Sequence, residues 1–208
     1  VLRDALLSGP GSADLLLPRV DLGALWPDPA AAWLARSGAE IRPSCRVAQV
    51  KPEVRGWHID GSAFDTVVLA TSAVEAARLV QPIDPAWAAC ASSLRHEPIT
   101  TVLLRSEGTL LPRPMLALHA GTTAPAQFVF DLGRLRVFDG ILAFVISGAA
   151  AWVERGTQET VRATLAQATA ALGPELKGPL TVLRTFTEKR ATFLCTPGLE
   201  RPSARIAD

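Results

Sequence analysis

Four short apolar runs between residues 98 and 147 most constrain how this chain folds. They are PITTVLLRS (98–106), MLALH (115–119), AQFVF (126–130) and ILAFVIS (141–147), and the segments between them are rich in glycine and proline. Apolar runs of strand length separated by such turns predict consecutive antiparallel strands. The segment 157–173 predicts an amphipathic helix that ends at Gly173, and LTVLRTFTE (180–188) predicts a last strand, with ATFLC continuing it past a kink.

The first 83 residues have a different sequence pattern from residues 98–147. After a short helical pattern at the N-terminus and a glycine- and proline-rich turn, PAAAWLARSG (29–38) predicts a helix with Asp28 as N-cap and Gly38 as its left-handed C-terminal residue. Short strands are expected at 40–42, 45–50 and 56–60. The continuous apolar run FDTVVLA (64–70) is typical of a strand buried on both faces.

Helices are predicted on both sides of Pro82. Ser72 stands at an N-cap position before 72–80, and Glu75 occupies the capping-box position three residues later. DPAWAACASSLR (84–95) predicts a second helix. The element order therefore favours two intertwined lobes over two domains joined by a linker.

Composition excludes several classes of partner. The chain has 208 residues, 49% hydrophobic and 20% charged, with a formal net charge of +1; this balance argues against nucleic acid as a partner. No apolar run approaches the length of a membrane span. Three widely separated cysteines suggest reduced thiols in a cytoplasmic protein and give no disulfide or metal-binding pattern.

Familiar catalytic motifs are not found. Gly9–Asp14 begins like a dinucleotide fingerprint but has Asp14 where the third glycine belongs. The three histidines are isolated in sequence, and no carboxylate pair suggests an acid and a base. The turn at Ala70–Ala73 would leave backbone N–H groups at a helix N-terminus, which suits a phosphate or an electron-rich ring; an ordinary strand–helix turn is the alternative. Because the chain starts at Val1 and has one methionine, Met115, we expect it to be a piece of a larger protein.

Three stretches resemble a known superfamily. LLLPRVDLGALWPDPAAAWLARSGAEIRPSCRVAQV (15–50) and GWHIDGSAFDTVVLATSAVEAARLV (56–80) resemble the flavin-dependent amine oxidases and phytoene desaturases. EKRATFLCTPGLERPSA (188–204) resembles the squalene-associated branch, the hydroxysqualene dehydroxylases of hopanoid biosynthesis. The resemblance is weakest over 105–156, where only the strand pattern carries it.

The resemblance implies an α+β flavoprotein fragment. Its parts would be a cavity-lining segment (1–28), a partial FAD-binding lobe (29–83), a substrate lobe with an antiparallel sheet (84–187) and a return toward the FAD lobe (188–208). The implied cofactor contacts are the backbone of Val47 and the turn residues Ala70, Thr71, Ser72 and Ala73. The implied substrate-lining residues are Leu17, Pro18, Arg19 and Phe193, and Lys189 is a candidate proton donor whose alternative role is a solvated surface charge.

The implied activity is reductive dehydroxylation of hydroxysqualene to squalene with FAD. Because the superfamily's GxGxxG unit and its C-terminal flavin motif are absent from this sequence, we expect the chain alone to bind FAD weakly or not at all and to be inactive. The implied substrate resides in bilayers, so peripheral membrane contact is compatible with it. The alternatives are an amine oxidase, disfavoured by the lack of tyrosine, a carotenoid-type desaturase, or a non-catalytic module that binds lipid or isoprenoid.

Overall fold

The computed structural model describes residues 2–206 and divides the chain into two compact units. Unit 1 contains the residues up to Ile41 together with Thr100–Thr187, and unit 2 contains Arg42–Ile99 and the residues from Glu188 onward. The chain thus passes from unit 1 into unit 2 after Ile41, returns to unit 1 at Thr100 and enters unit 2 again at Glu188. The lobes predicted at 1–28, 29–83, 84–187 and 188–208 stay predictions. What each unit binds stays a prediction.

The helices and strands confirm a mixed α+β fold. In chain order they are α1 (Leu2–Leu7), α2 (Leu22–Leu25), α3 (Pro27–Arg36), β1 (Val50–Pro52), β2 (Trp57–Ile59), β3 (Ser62–Phe64), α4 (Ala73–Val80), α5 (Pro85–Ser93), β4 (His96–Arg105), β5 (Met115–Ala117), β6 (Phe128–Asp131), β7 (Ile141–Ile146), α6 (Ala150–Arg155), α7 (Thr157–Leu172) and β8 (Thr181–Phe193).

A five-stranded sheet organises unit 1, in the order β5-β6-β7-β4-β8. β6 and β4 both pair antiparallel with β7, as the alternating apolar runs predict. The boundaries between the units fall within β4 and β8, which are the long strands of this sheet.

One face of this sheet forms the main hydrophobic core. Because side chains alternate along a strand, Val102 and Leu104 of β4 point to the same side as Leu142, Phe144 and Ile146 of β7, and all five are fully buried. They pack with Trp152 of α6 and with Ala163, Ala168 and Leu172 of α7. The amphipathic pattern predicted for 157–173 is therefore confirmed as a helix that covers one side of the sheet.

A buried carboxylate binds the backbone of two loops at the end of the sheet. Asp131 is fully buried, and its carboxylate accepts hydrogen bonds from the amides of Leu111 at 2.8 Å and Arg134 at 3.0 Å. Its own amide donates to the carbonyl of Pro114. One side chain therefore satisfies backbone groups of two loops, as a buried acid requires.

Unit 2 contains a small antiparallel sheet, β1-β2-β3, and the helix pair α4 and α5. Val50 pairs with Ile59, and Trp57 with Phe64. The turn before β2 requires Gly56, whose φ is +94° and where a Cβ would lie 2.5 Å from the carbonyl oxygen of Phe64. The predicted start of α4 is confirmed, since the Ser72 hydroxyl accepts a hydrogen bond from the amide of Glu75.

Several local predictions are wrong in instructive ways. The third helix begins at Pro27 after Trp26, so Asp28 lies in its first turn and is not its N-cap; proline is favoured at that first helical position because it has no N–H to satisfy. Gly38 is left-handed as predicted, with φ +83°. Residues 40–42 form no strand, and β8 continues without a break to Phe193.

The expected buried strand at 64–70 is not found. β3 ends at Phe64 and residues 66–70 have no regular structure; Val68 is 83% exposed. A strand buried on both faces needs neighbouring strands, and in the described part of the chain β3 pairs with β2 alone. Of the expected strand 45–50 only Val50 is in a strand, because side chains occupy the backbone groups of the residues before it.

Candidate functional site

An apolar groove with a volume of about 440 Å³ lies within unit 2. Its walls come from the end of β1, from β2, from the irregular segment 67–69, from α4 and α5, and from the segment 203–206. The lining residues are Val50, Trp57, Val67, Val68, Leu69, Ala76, Val80, Ile83, Trp87, Ser203, Ala204, Arg205 and Ile206. Apart from Ser203 and Arg205 these side chains are apolar. The volume lies within the range of small-molecule sites.

Trp87 fixes one wall of this groove. Its ring packs against Ala77, Ala88 and Ala91 where α4 meets α5, and its indole Nε1 donates a hydrogen bond of 2.9 Å to the carbonyl of Ser203. A half-buried tryptophan needs such an acceptor. This bond holds the segment 203–206 beside the helix pair.

The five predicted cofactor residues lie next to this groove along the chain but do not line it. Leu69, the last lining residue of its segment, immediately precedes Ala70, and Val50 follows Val47 by three residues. Ala70, Thr71 and Ser72 are exposed and Ala73 is half-buried. The turn is therefore accessible, although its preceding segment is not the strand that was expected.

Arg78 holds the backbone at Val47. Its guanidinium donates to the carbonyl of Val47 at 2.6 Å and to that of Ala48 at 2.9 Å. Opposite charge fixes its orientation, since Arg78 and Arg46 both donate to the carboxylate of Glu75. These bonds, first from Arg78 and then from Arg46, lower the pKa of Glu75 to about 2.

Asp60 completes this arrangement from the side of the small sheet. Its carboxylate accepts hydrogen bonds from the amides of Gln49, at 2.9 Å, and Ala48. The bond from Gln49, followed by that from Ala48, lowers the pKa of Asp60. The carbonyls of 47–48 and the amides of 48–49 are thus satisfied by side chains, which explains why this segment forms no longer strand.

A second candidate surface lies within unit 1, on the side of the five-stranded sheet away from α6 and α7. The strand pairing aligns Leu103 with Ala143, and aligns Val145 with Thr101 and Phe128. Phe130 pairs with both Ala143 and Met115. We call this the apolar sheet face, and its large members, all half-buried, are Leu103, Met115, Phe128, Phe130 and Val145.

The remaining predicted residues fall in both units. Leu17 and Pro18 are half-buried and Arg19 is exposed, in unit 1, whereas Phe193 is half-buried and Lys189 is exposed, in unit 2. Alternation along β8 puts Lys189 and Phe186 on opposite faces of that strand. The role of Lys189 stays a prediction.

Sequence reasoning missed much of the groove. Trp57 and Trp87 lay in elements that were predicted, but neither was singled out, and the segment 203–206 was not assigned to a binding site. A tryptophan at the start of a short strand and another in the first turn of a helix were the available signals.

In residues 2–206, no cluster of His, Cys, Asp or Glu suits a metal ion, and no helix there is both long and apolar enough to cross a bilayer.

Comparisons with known proteins leave the family open and support the fold. No protein-family model matches the chain, and no curated protein matches it. Among solved structures it is similar to an oxidoreductase from Methanosarcina mazei, with a TM-score of 0.56 and 13% identity, over 78% of this chain and 41% of that protein. The chain therefore spans less than half the length of that oxidoreductase. At this identity the likeness shows a shared fold alone.

Proposed function

We propose that this chain belongs to an FAD-dependent oxidoreductase that acts on an apolar isoprenoid, most specifically by reducing hydroxysqualene to squalene. The net reaction breaks one C–O bond, forms one C–H bond and releases the oxygen as water. The proposal combines the resemblance of residues 15–80 and 188–204 with a fold shared with an oxidoreductase.

The apolar sheet face is the observation that carries the substrate class. Its five large side chains are apolar and half-buried, in contrast to the fully buried side chains on the opposite face. A long hydrocarbon chain is bound by contiguous apolar surface with few polar groups. Because these side chains are already half-buried, each contributes roughly half of the about 1.5–3 kcal/mol that burial of a fully exposed side chain contributes.

The groove in unit 2 supports a flavin nucleotide as the cofactor of this proposal. Two tryptophans and several aliphatic side chains form its walls, which suits a planar aromatic ring system. The neighbouring exposed turn Ala70–Ala73 provides backbone that a cofactor can approach. The residues that would hold FAD are therefore Val47, through its backbone, and the turn Ala70, Thr71, Ser72 and Ala73, next to the groove.

Each part of the chain then has a distinct task. FAD, when bound in its reduced form, supplies the hydride. Arg78 and Asp60 hold the backbone of 47–49 in one position, so that it is preorganised for the cofactor. The apolar sheet face orients the hydrocarbon and excludes water.

Binding of a short, soluble isoprenoid alcohol such as farnesol tests the substrate class. We expect the purified chain to bind it, and Phe130→Ser to weaken binding about tenfold because the variant loses aromatic contact area. Phe138→Ser is the matched control, since Phe138 is 59% exposed and lies in a loop. Far-UV circular dichroism checks that both variants fold. Equal binding by both would remove the apolar sheet face from the proposal.

A further inference from the structure

β8 is an edge strand with a bare surface. It stands last in the order of the five-stranded sheet, and no described strand pairs with its other side. Its 13 residues contain no proline, and Val182, Leu183 and Phe186 are 42%, 45% and 49% exposed. A long edge of this kind is a template for pairing with another strand.

We propose that β8 pairs antiparallel with β8 of a second copy of this chain, with Phe186 at the two-fold axis. In such a pair, residues directly opposite each other lie on the same face of the joined sheet. Centring on Phe186 sets Arg184 of each copy opposite Glu188 of the other and sets Thr185 opposite Thr187. The two phenylalanine rings then face one another, with their Cβ atoms about 5 Å apart.

Charge favours this register over those centred on Thr187 and Lys189. Centring the pair on Thr187 would set Arg184 opposite Arg190, which repels. Centring it on Lys189 would set Lys189 of one copy opposite Lys189 of the other, which also repels. Centring it on Phe186 creates two Arg–Glu pairs related by symmetry and sets Arg190 opposite the uncharged Val182. Opposite charges that face each other across strands stabilise the pair, whereas like charges destabilise it.

The contacts of β8 within one copy leave this edge available. Thr187 bonds to the hydroxyl of Thr100 at 2.7 Å, and Thr185 and Thr187 line a small cavity beside α6 and α7. Since side chains alternate, Arg184, Phe186 and Glu188 point to the opposite face. One oxygen of Glu188, Oε1, accepts a bond from the amide of Arg190, so Oε2 can meet a guanidinium of the second copy.

Charge reversal tests the pairing directly. Sedimentation equilibrium on the purified chain is expected to detect a dimer, and Arg184→Glu is expected to raise its dissociation constant at least about tenfold because two attractive pairs become repulsive. Glu188→Arg acts alike, and the double variant Arg184→Glu/Glu188→Arg restores dimerisation. Arg113→Glu, in an exposed loop, is the control for a change of net charge and leaves the dimer intact.

Cross-linking tests the register. Cys45, Cys90 and Cys195 are first replaced by serine. Phe186→Cys is then expected to form an intermolecular disulfide under mild oxidation, because residue 186 of one copy lies opposite residue 186 of the other. Arg184→Cys faces residue 188 and is expected to stay reduced. A monomer at all concentrations overturns the proposal. A dimer whose dissociation constant is unchanged by both charge reversals also overturns it. Such a dimer, or the pairing of β8 with another segment or another protein, would assign the edge to a different partner.

Discussion

Gln167 of α7 binds both backbone groups of Ala126. Its Oε1 accepts from the amide of Ala126 at 2.8 Å, and its Nε2 donates to the carbonyl of the same residue at 2.8 Å. Nε2 also donates to the carbonyl of His119. A helix that covers the core of unit 1 is thereby joined to the loop between β5 and β6, which borders the apolar sheet face.

Gln167→Glu is expected to destabilise unit 1 by about 3 kcal/mol. The substitution replaces the donor by a carboxylate oxygen facing two carbonyls, and it buries a charge that has no compensating partner. Urea unfolding followed by tryptophan fluorescence measures the change. Gln158→Glu makes the same chemical change on an exposed turn of α7 and is expected to stay within about 0.5 kcal/mol of the unaltered chain; an equal loss in both variants would contradict this role for Gln167.

Gly56→Ala is expected to destabilise unit 2 by about 1–3 kcal/mol. A Cβ there would meet the Phe64 carbonyl oxygen at 2.5 Å and would also require a positive φ. Gly61→Ala separates the two causes, since Gly61 has φ +88° but open space around it. Hydrogen exchange of the β1–β3 amides should therefore increase more for Gly56→Ala than for Gly61→Ala, and the reverse order would show that the close approach is not limiting.

The stability of unit 2 is expected to fall as the pH drops from about 4.5 to about 2. The folded-state pKa of Glu75 is about 2, below the ordinary value of 4.5, so the ionised form is favoured by folding. Its contribution is fully present above pH 4.5 and is lost as the carboxylate takes up a proton. Hydrogen exchange of the amides in α4 measures this at each pH.

Glu75→Gln is expected to flatten that pH dependence, because the ion pairs with Arg78 and Arg46 are absent at every pH. Glu200→Gln removes an exposed carboxylate in the segment after β8 and should leave the dependence unchanged. Identical pH profiles for the unaltered chain and Glu75→Gln would show that the cluster around Glu75 does not couple folding to pH.

The sequence predicted those elements whose own pattern of apolar residues matches the face that they bury in the core. β4, β6, β7 and α7 alternate or repeat as their shared core requires, and Ser72 caps α4 through a bond that is local in sequence. Residues 64–70 have an equally clear pattern, but a strand depends on partners that no local pattern contains. The groove escaped prediction for the same reason, since it joins Trp57, Trp87 and the segment 203–206 from distant parts of the chain.

The most direct test of the proposed function is a single-turnover reaction of the natural protein that contains this chain. The protein is mixed anaerobically with reduced FAD and hydroxysqualene, and the lipid extract is analysed by mass spectrometry while flavin absorbance is followed. We expect squalene to form in proportion to the flavin oxidised. Bound, reduced flavin that leaves hydroxysqualene unchanged, or flavin oxidation without squalene, would contradict the proposed reaction.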